Sequence, residues 1–203
     1  QHFCERGGKA VVLTGSVFEP NEGCGSGYPN LRAFSPYGLS KGLTYEVFKY
    51  WADTINVPLG KFVIPNPFGP YEEEKFTDYL LNKWSAGQTA AINTPGYVRD
   101  NIHVDLLSKA YVKFVDQILL PGPVLKCSPS GYVESQGAFA IRFSEEIGKR
   151  LSLGCEVELC TQIDFPEPMI RINHEACSAR DIDWQESSAW DNLAQYYSSK
   201  FLS

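Results

Sequence analysis

The chain has 203 residues, 43% of them hydrophobic and 21% charged, an ordinary globular composition that allows one sizeable core with a small second lobe. The formal net charge of −6, without a basic patch, argues against nucleic acid as a partner. No apolar run approaches the roughly 20 residues of a membrane span, and the six scattered cysteines lack zinc-site spacing. We therefore expect a cytoplasmic protein with free thiols, no membrane contact and no bound metal.

The first predicted element is a strand over residues 9–14, KAVVLT, whose apolar run is typical of a strand buried in a parallel sheet. Residues 15–33 follow as a segment rich in Gly, Pro and Asn. Its glycines at 23, 25 and 27 are not followed directly by a helix, so they do not match a dinucleotide-binding fingerprint. We interpret this segment as a flexible loop, with a cover over a ligand as the alternative.

A long helix is predicted over residues 36–55. Ser35 is a good N-cap, and Pro36 suits the first helical position because its missing N–H would have no partner there. A strand is predicted next, over residues 59–64, so strand, helix and strand form a βαβ unit with parallel strands. The helix carries an apolar stripe with a spacing of four, which we expect to face a core: Leu39, Leu43, Val47, Trp51 and Ile55.

The second half of the chain alternates between helical and strand-like patterns. Helices are predicted over 76–86, 105–120, 137–151 and 187–201, and strands over 90–93, 124–127 and 155–160. The helix at 137–151 has the clearest apolar stripe, formed by Phe139, Phe143, Ile147 and Leu151. The order of elements favours an α/β fold.

Tyr37 and Lys41 lie one turn apart at the start of the long helix, on the same face. An ammonium group beside a phenol stabilises the phenolate, so Tyr37 is a candidate general acid/base. The spacing Tyr-x-x-x-Lys occurs five times in the chain, and most of these pairs must be ordinary helix-surface neighbours. The neighbouring motifs therefore have to distinguish this pair from the others.

Four motifs occur in a fixed order: a strand that ends at Thr14, Tyr37-x-x-x-Lys41, NPFGP at 66–70 and RDNIHVD at 99–105. In this order and spacing the chain resembles the extended short-chain dehydrogenase/reductase family of NAD-dependent sugar-nucleotide epimerases, dehydratases and reductases. The resemblance implies an incomplete Rossmann-like doubly wound parallel sheet with a smaller mixed α/β substrate lobe. It implies that residues 1–70 belong to the nucleotide-binding domain and 71–203 mainly to the substrate lobe, with about 98–127 returning to the first domain.

The resemblance also implies a role for the residues at the first two motifs. Thr14 corresponds to the hydroxyl that bonds the reacting oxygen, Tyr37 to the acid/base, and Lys41 to the residue that holds the nicotinamide ribose of NAD or NADP. Pro65 corresponds to a position beside the nicotinamide. The alternatives are ordinary ones: Thr14 ends a strand and Pro65 forms a turn.

Two further positions are implied to bind the nucleotide-sugar substrate. Asn66 corresponds to an asparagine that faces the substrate, and Arg99 to an arginine that grips the substrate diphosphate, for which a planar guanidinium is well suited. Asn66 is otherwise a turn former, and Arg99 otherwise pairs with Asp100 or extends into solvent. We interpret His103 as structural.

The chain also departs from the family pattern. The family opens with a Gly-x-x-Gly-x-x-Gly turn that holds the cofactor diphosphate, and this sequence contains none, so we expect a piece that begins near the last third of the nucleotide-binding domain. Gly15 and Ser16 stand where sugar 4,6-dehydratases carry Asp-Glu, which favours an epimerase or ketoreductase. The alternative is a non-catalytic relative that binds a nucleotide sugar or a partner subunit. The resemblance also implies a possible homodimer through the Tyr/Lys helix, with Tyr45, Phe48 and Trp51 at the interface.

Overall fold

The computed structural model describes residues 2–25, 32–33, 35–72, 75–120, 125–164, 166–173, 175–176 and 182–201. Part of the predicted loop at 15–33 lies outside these residues. The helices are α1 (His2–Glu5), α2 (Pro36–Ile55), α3 (Phe76–Ser85), α4 (Val104–Ile118), α5 (Gln136–Leu151) and α6 (Glu186–Phe201). The strands are β1 (Val11–Ser16), β2 (Cys24–Gly25), β3 (Leu59–Ile64), β4 (Asn66–Phe68), β5 (Ala90–Ile92), β6 (Val98–His103), β7 (Leu125–Cys127), β8 (Pro129–Ser130), β9 (Tyr132–Ser135), β10 (Val157–Leu159), β11 (Ile170–Ile172) and β12 (Glu175–Ala176).

A parallel three-stranded sheet, in the order β1-β3-β7, forms the first layer of the fold. Phe62 of β3 packs against Tyr111 and Phe114 of α4. The preceding residue, Lys61, places its ammonium over the Tyr45 ring of α2. Because successive side chains of a strand alternate between faces, α2 and α4 cover opposite faces of the sheet. This arrangement confirms the predicted doubly wound α/β fold and its parallel strands.

The helix α2 has the predicted bounds, and its ends explain why. The Ser35 side chain accepts a hydrogen bond from the Gly38 N–H at 3.2 Å, and Pro36 occupies the first turn. Asn56 follows the helix with φ of 53°, a left-handed conformation that Asn tolerates better than most residues.

The expectation that the Leu39 stripe of α2 faces a core is wrong. Leu39, Leu43, Val47 and Trp51 are each about half exposed, at 49–59%. The helix instead contacts the protein through a face with small residues, and a Cβ built on Gly38 would lie only 2.1 Å from the carbonyl oxygen of Phe18. Since glycine lets two backbones approach this closely, α2 packs through that face and leaves its apolar stripe outside.

The second layer is built around an aromatic core. Strands β2, β11, β6 and β4 form one sheet, with β9 pairing antiparallel to β6. Helices α3, α5 and α6 supply most of the core. Phe139, Phe143 and Trp190 pack around Phe68, and Trp84 stacks on Phe143. A separate cluster of Phe62, Ala110 and Phe114 lies under α4. The division of the chain at residue 70 stays a prediction.

The predicted helices and strands of the second half are all present with ends shifted by at most two residues. The strands that were not predicted there are β4, β6, β8, β9, β11 and β12. Among the described helices, none combines the length and apolarity needed to cross a bilayer. Among the described cysteines, Cys4, Cys155 and Cys160 are free thiols.

Candidate active site

The first turn of α2 lies at the carboxyl end of β1, which is where parallel α/β sheets place their ligands. The Lys41 ammonium donates a hydrogen bond to the backbone carbonyl of Thr14. One turn earlier, the Tyr37 side chain is 56% exposed to solvent. The structure thus brings Lys41 against the backbone of Thr14 and leaves the Tyr37 phenol accessible one turn earlier on α2.

Thr14 takes part in this contact through its backbone rather than its hydroxyl. It pairs with Phe62 in the β1–β3 register, and Phe62 faces α4. Paired residues of parallel strands share a face, so the Thr14 side chain leaves β1 on the side away from α2. Ser16, two residues further along the same face, is buried, and its hydroxyl oxygen accepts from the Phe18 N–H at 3.2 Å. A second hydroxyl therefore lies at the strand end, and the sequence reasoning missed it.

Asn66 begins β4 directly after the buried Pro65. Its side-chain amide donates to the Asn101 Oδ1 at 2.6 Å, and the two residues are also paired in the parallel β4–β6 register. Asn101 stands two residues after Arg99 on β6, so the two side chains share a face of the sheet. The predicted substrate residues Asn66 and Arg99 therefore lie on the same face of this sheet.

Arg99 has a partner that the sequence did not suggest. Its guanidinium makes an ion pair with Glu167, with Nη2 donating to Oε2 at 2.8 Å, instead of pairing with Asp100 or extending into solvent. The Nη1 atom donates to the carbonyl oxygens of Val98 at 2.9 Å and Met169 at 3.3 Å. The Arg99 side chain is only 12% exposed, so the ion pair is largely shielded from solvent.

A buried charge network fixes the loop that follows β1. Lys61, in the middle of β3, contacts Glu19 Oε2 at 2.6 Å and Glu22 Oε1 at 2.8 Å, and Lys126 contacts the other Glu22 oxygen at 2.7 Å. Burial by itself would lower the pKa of Lys61, but the two carboxylates outweigh burial and raise that pKa above 10.5. Arg171 of β11 donates to the carbonyl oxygens of Val17 and Glu19. The sequence contained one indication of this network, a lysine within an otherwise apolar strand, because a buried lysine requires charged or polar partners.

His103 has the structural role that the sequence indicated. It is buried at the end of β6, and its Nδ1 accepts a hydrogen bond from the Asp105 N–H at 3.1 Å, which caps α4. Burial lowers the pKa of His103 below 6.5, against a smaller opposing effect of Asp105. The ring also packs edge-on against Phe68. The imidazole is therefore held neutral inside the aromatic core.

Within the described ranges, no three His, Cys, Asp or Glu side chains are grouped as a metal site requires.

A family comparison matches residues 2–122 to the model described as the NAD dependent epimerase/dehydratase family. The comparison with curated proteins gave no match.

Solved structures of similar fold include three sugar-nucleotide enzymes. The UDP-N-acetylglucosamine 4-epimerase from Methanobrevibacter ruminantium M1, solved with UDP-N-acetylmuramic acid, is 17% identical with a TM-score of 0.68, over 95% of this chain and 64% of that one. The UDP-glucose 4-epimerase from Bifidobacterium longum, solved with NAD⁺ and UDP, is 16% identical with a TM-score of 0.66, over 98% and 66%. The dTDP-glucose 4,6-dehydratase from Bacillus anthracis str. Ames, solved with NAD, is 20% identical with a TM-score of 0.64, over 98% and 64%. The chain thus spans about two thirds of the length of these structures.

Proposed function

The chain belongs to the NAD dependent epimerase/dehydratase family, as the sequence motifs indicated, and on this premise we propose that it serves NAD(P)-dependent epimerisation or keto-reduction of a nucleotide sugar. The observation that carries the proposal is the contact between the Lys41 ammonium and the Thr14 carbonyl, beside the exposed Tyr37 phenol. This contact fixes the start of α2 against the carboxyl end of β1.

In the proposed reaction, Tyr37 moves a proton on the substrate oxygen. We assign it the acid/base role because its phenol is exposed at the first turn of α2, one turn before Lys41 on the same helix face. The family resemblance assigns a hydroxyl of β1 to the same substrate oxygen, and it would reach that oxygen from the face of β1 opposite α2. Thr14 is the predicted hydroxyl, and the buried Ser16 is the alternative, since it lies further toward the strand end.

The described residues fit the nicotinamide end of NAD or NADP. An ammonium has three N–H donors, and the Thr14 carbonyl takes one from Lys41, so donors remain for the hydroxyls of a ribose. Tyr37 and Lys41 would hold that ribose, and Pro65 would lie beside the nicotinamide. When bound, the cofactor supplies the acceptor and donor of the hydride.

For the substrate, we propose a nucleoside diphosphate sugar that meets Asn66 and Arg99. The Asn66–Asn101 hydrogen bond holds one amide in place, and Arg99 lies on the same face of β6 as Asn101. A planar guanidinium matches the oxygens of a diphosphate in two parallel hydrogen bonds. The three similar structures named above are sugar-nucleotide enzymes, which supports this substrate class.

We also propose a homodimer through the exposed apolar stripe of α2. Phe48 and Trp51, two of the predicted interface residues, are 44% and 57% exposed. The third, Tyr45, is half-buried, with the Lys61 ammonium 4.2 Å from its ring centroid, so its ring serves the intramolecular packing. The stripe formed by Leu39, Leu43, Val47 and Trp51 is therefore the better candidate surface.

The test is a Tyr37→Phe substitution, with Tyr50→Phe as a matched control. Tyr50 is on the same helix and is 65% exposed, so both changes remove one accessible hydroxyl from α2. With NAD or NADP and UDP-glucose or dTDP-glucose, product formation is followed by NMR. Loss of a general acid/base reduces turnover by roughly 10²–10⁴-fold, and we expect this for Tyr37→Phe alone.

Two other outcomes would redirect the proposal. Equal turnover by Tyr37→Phe and the unmodified chain would refute the acid/base role. Binding of the sugar nucleotide without turnover by the unmodified chain would favour the alternative, a non-catalytic relative that binds its ligand.

A further inference from the structure

The Glu167 carboxylate pairs with the Arg99 guanidinium, in the place that a bound anion would take. The carboxylate accepts from Nη2 at 2.8 Å, while Nη1 donates to two backbone carbonyls, so both terminal nitrogens of the guanidinium already have acceptors. Arg99 is 12% exposed and Glu167 29% exposed. A diphosphate that takes the place of this carboxylate at Nη2 must displace it.

The local charges favour an anion at this place. Arg171 of β11 pairs with Arg99 in the parallel β6–β11 register, so two guanidinium groups start from neighbouring backbone positions. Arg171 is 1% exposed and is committed to the carbonyl oxygens of Val17 and Glu19. Glu167 is the carboxylate paired with Arg99, whereas Glu22 acts on Arg171, so an anion that replaces Glu167 would meet the charge of Arg99.

The segment that carries Glu167 is anchored on both sides of it. Before it, the Gln162 side chain accepts from the Gly96 N–H at 2.8 Å, and the Ile163 N–H donates to the Asn93 carbonyl at 3.2 Å. After it, the Met169 carbonyl accepts from the Val98 N–H at 2.8 Å. The Glu167 carboxylate can rotate away from Arg99 while these anchoring bonds remain.

We propose that Glu167 is a specificity-determining residue. Its carboxylate competes with the ligand for Arg99, and the ligand must displace it in order to bind. The site therefore selects anions with more than one negative charge, such as a nucleoside diphosphate. This inference rests on the proposed function, because it takes Arg99 as the diphosphate ligand. A phosphodiester or carboxylate carries one charge and replaces Glu167 without gain. A diphosphate brings more charge and a second set of oxygens to the fork.

The experiment is a calorimetric titration of the whole chain with UDP and with uridine, before and after Glu167→Gln. Glutamine keeps the length of the side chain and removes its charge. We expect UDP to bind about tenfold more tightly, in the range for a lost charge-assisted hydrogen bond at a partly exposed pair, and uridine affinity to stay unchanged. Glu146→Gln is the matched control, because Glu146 pairs with Lys149 and Arg150 on α5 and has no contact with Arg99 among the described residues.

A second pair of variants separates this inference from the proposed function. Arg99→Met should weaken UDP binding and abolish the gain from Glu167→Gln in the double variant. If Arg99→Met weakens UDP binding while Glu167→Gln leaves it equal or weaker, the competitor role is refuted and the diphosphate site stands. If Arg99→Met leaves UDP affinity unchanged, or if no form of the chain binds UDP, both the site and the competitor role are refuted.

A shorter acid provides a test that does not depend on how well Glu167→Gln folds. Glu167→Asp keeps the charge but withdraws it by one methylene. We expect a gain in UDP affinity smaller than that of glutamine, and a loss of affinity would overturn the proposal.

Discussion

Gly38→Ala tests whether the close backbone contact fixes the start of α2. A Cβ at this position would lie 2.1 Å from the Phe18 carbonyl oxygen and 2.9 Å from its carbon, although real Cβ atoms essentially never approach within 3.0 Å. Relief requires the helix or the loop to move by about 3.0 − 2.1, or ~0.9 Å. Because the obstacle is backbone on both sides, no side-chain rotation can supply that movement.

The expected effect is the difference between two opposing contributions. Overpacking of this kind costs about 1–3 kcal/mol. The higher helix propensity of alanine returns up to about 1 kcal/mol in a helix interior, and less in a first turn. We therefore expect a net loss of about 1–2 kcal/mol, which for a chain of this size lowers Tm by about 2–8 °C.

The assay is thermal unfolding followed by far-UV circular dichroism, with Gly148→Ala as the matched control. Gly148 lies in α5, and a Cβ there would meet its nearest neighbour, the Leu153 carbonyl oxygen, at 3.3 Å. Alanine at position 148 should leave Tm unchanged or raise it, because the space is tight but sufficient and the propensity gain remains. If Gly38→Ala raises Tm as much as Gly148→Ala does, the close contact does not constrain α2 and the reasoning fails.

Two further predictions concern His103 and the α2 stripe. The pKa of His103 in the folded chain is lowered below 6.5, so the unfolded chain takes up the extra proton first. The free energy of unfolding therefore decreases as pH falls below about 6.5, by at most ~1.4 kcal/mol per pH unit for one group. In urea titrations from pH 7.5 to 5, His103→Asn, which keeps an acceptor for the helix cap, should show a shallower loss of stability, and an equal slope would contradict the neutral buried imidazole. Val47 is 56% exposed in the middle of the stripe, so Val47→Glu should convert a dimer to a monomer in sedimentation velocity, whereas a monomeric unmodified chain would refute the homodimer.

The sequence was sufficient for α2 because its limits are set locally. Ser35, Pro36 and Asn56 determine the helix ends by capping and φ preferences that need no tertiary partner. The direction of its apolar stripe is not local. Gly38 allows the backbone of α2 to contact Phe18, and this contact turns the apolar stripe away from the core. A spacing of four between apolar residues does not tell whether the stripe faces the core or remains exposed.

The candidate site shows the same division. Tyr37 and Lys41 could be placed from helix spacing alone, whereas Glu167 reaches Arg99 across 68 residues of sequence. Ser16 was overlooked because its face and burial depend on pairing with β3. Long-range partners of this kind are set by sheet register, which the sequence of one strand does not encode.

The charge network around Lys61 also constrains how this sequence can change over generations. Its members come from the loop after β1, from β3 and from β7, so Glu19, Glu22, Lys61 and Lys126 are far apart in the chain. Neutralising Lys61 alone leaves two buried carboxylates near each other, a change that typically costs several kcal/mol. A substitution at one of these four positions is therefore tolerated when a second one restores the charge balance. Homologues that lack Lys61 should also lack one of the two glutamates.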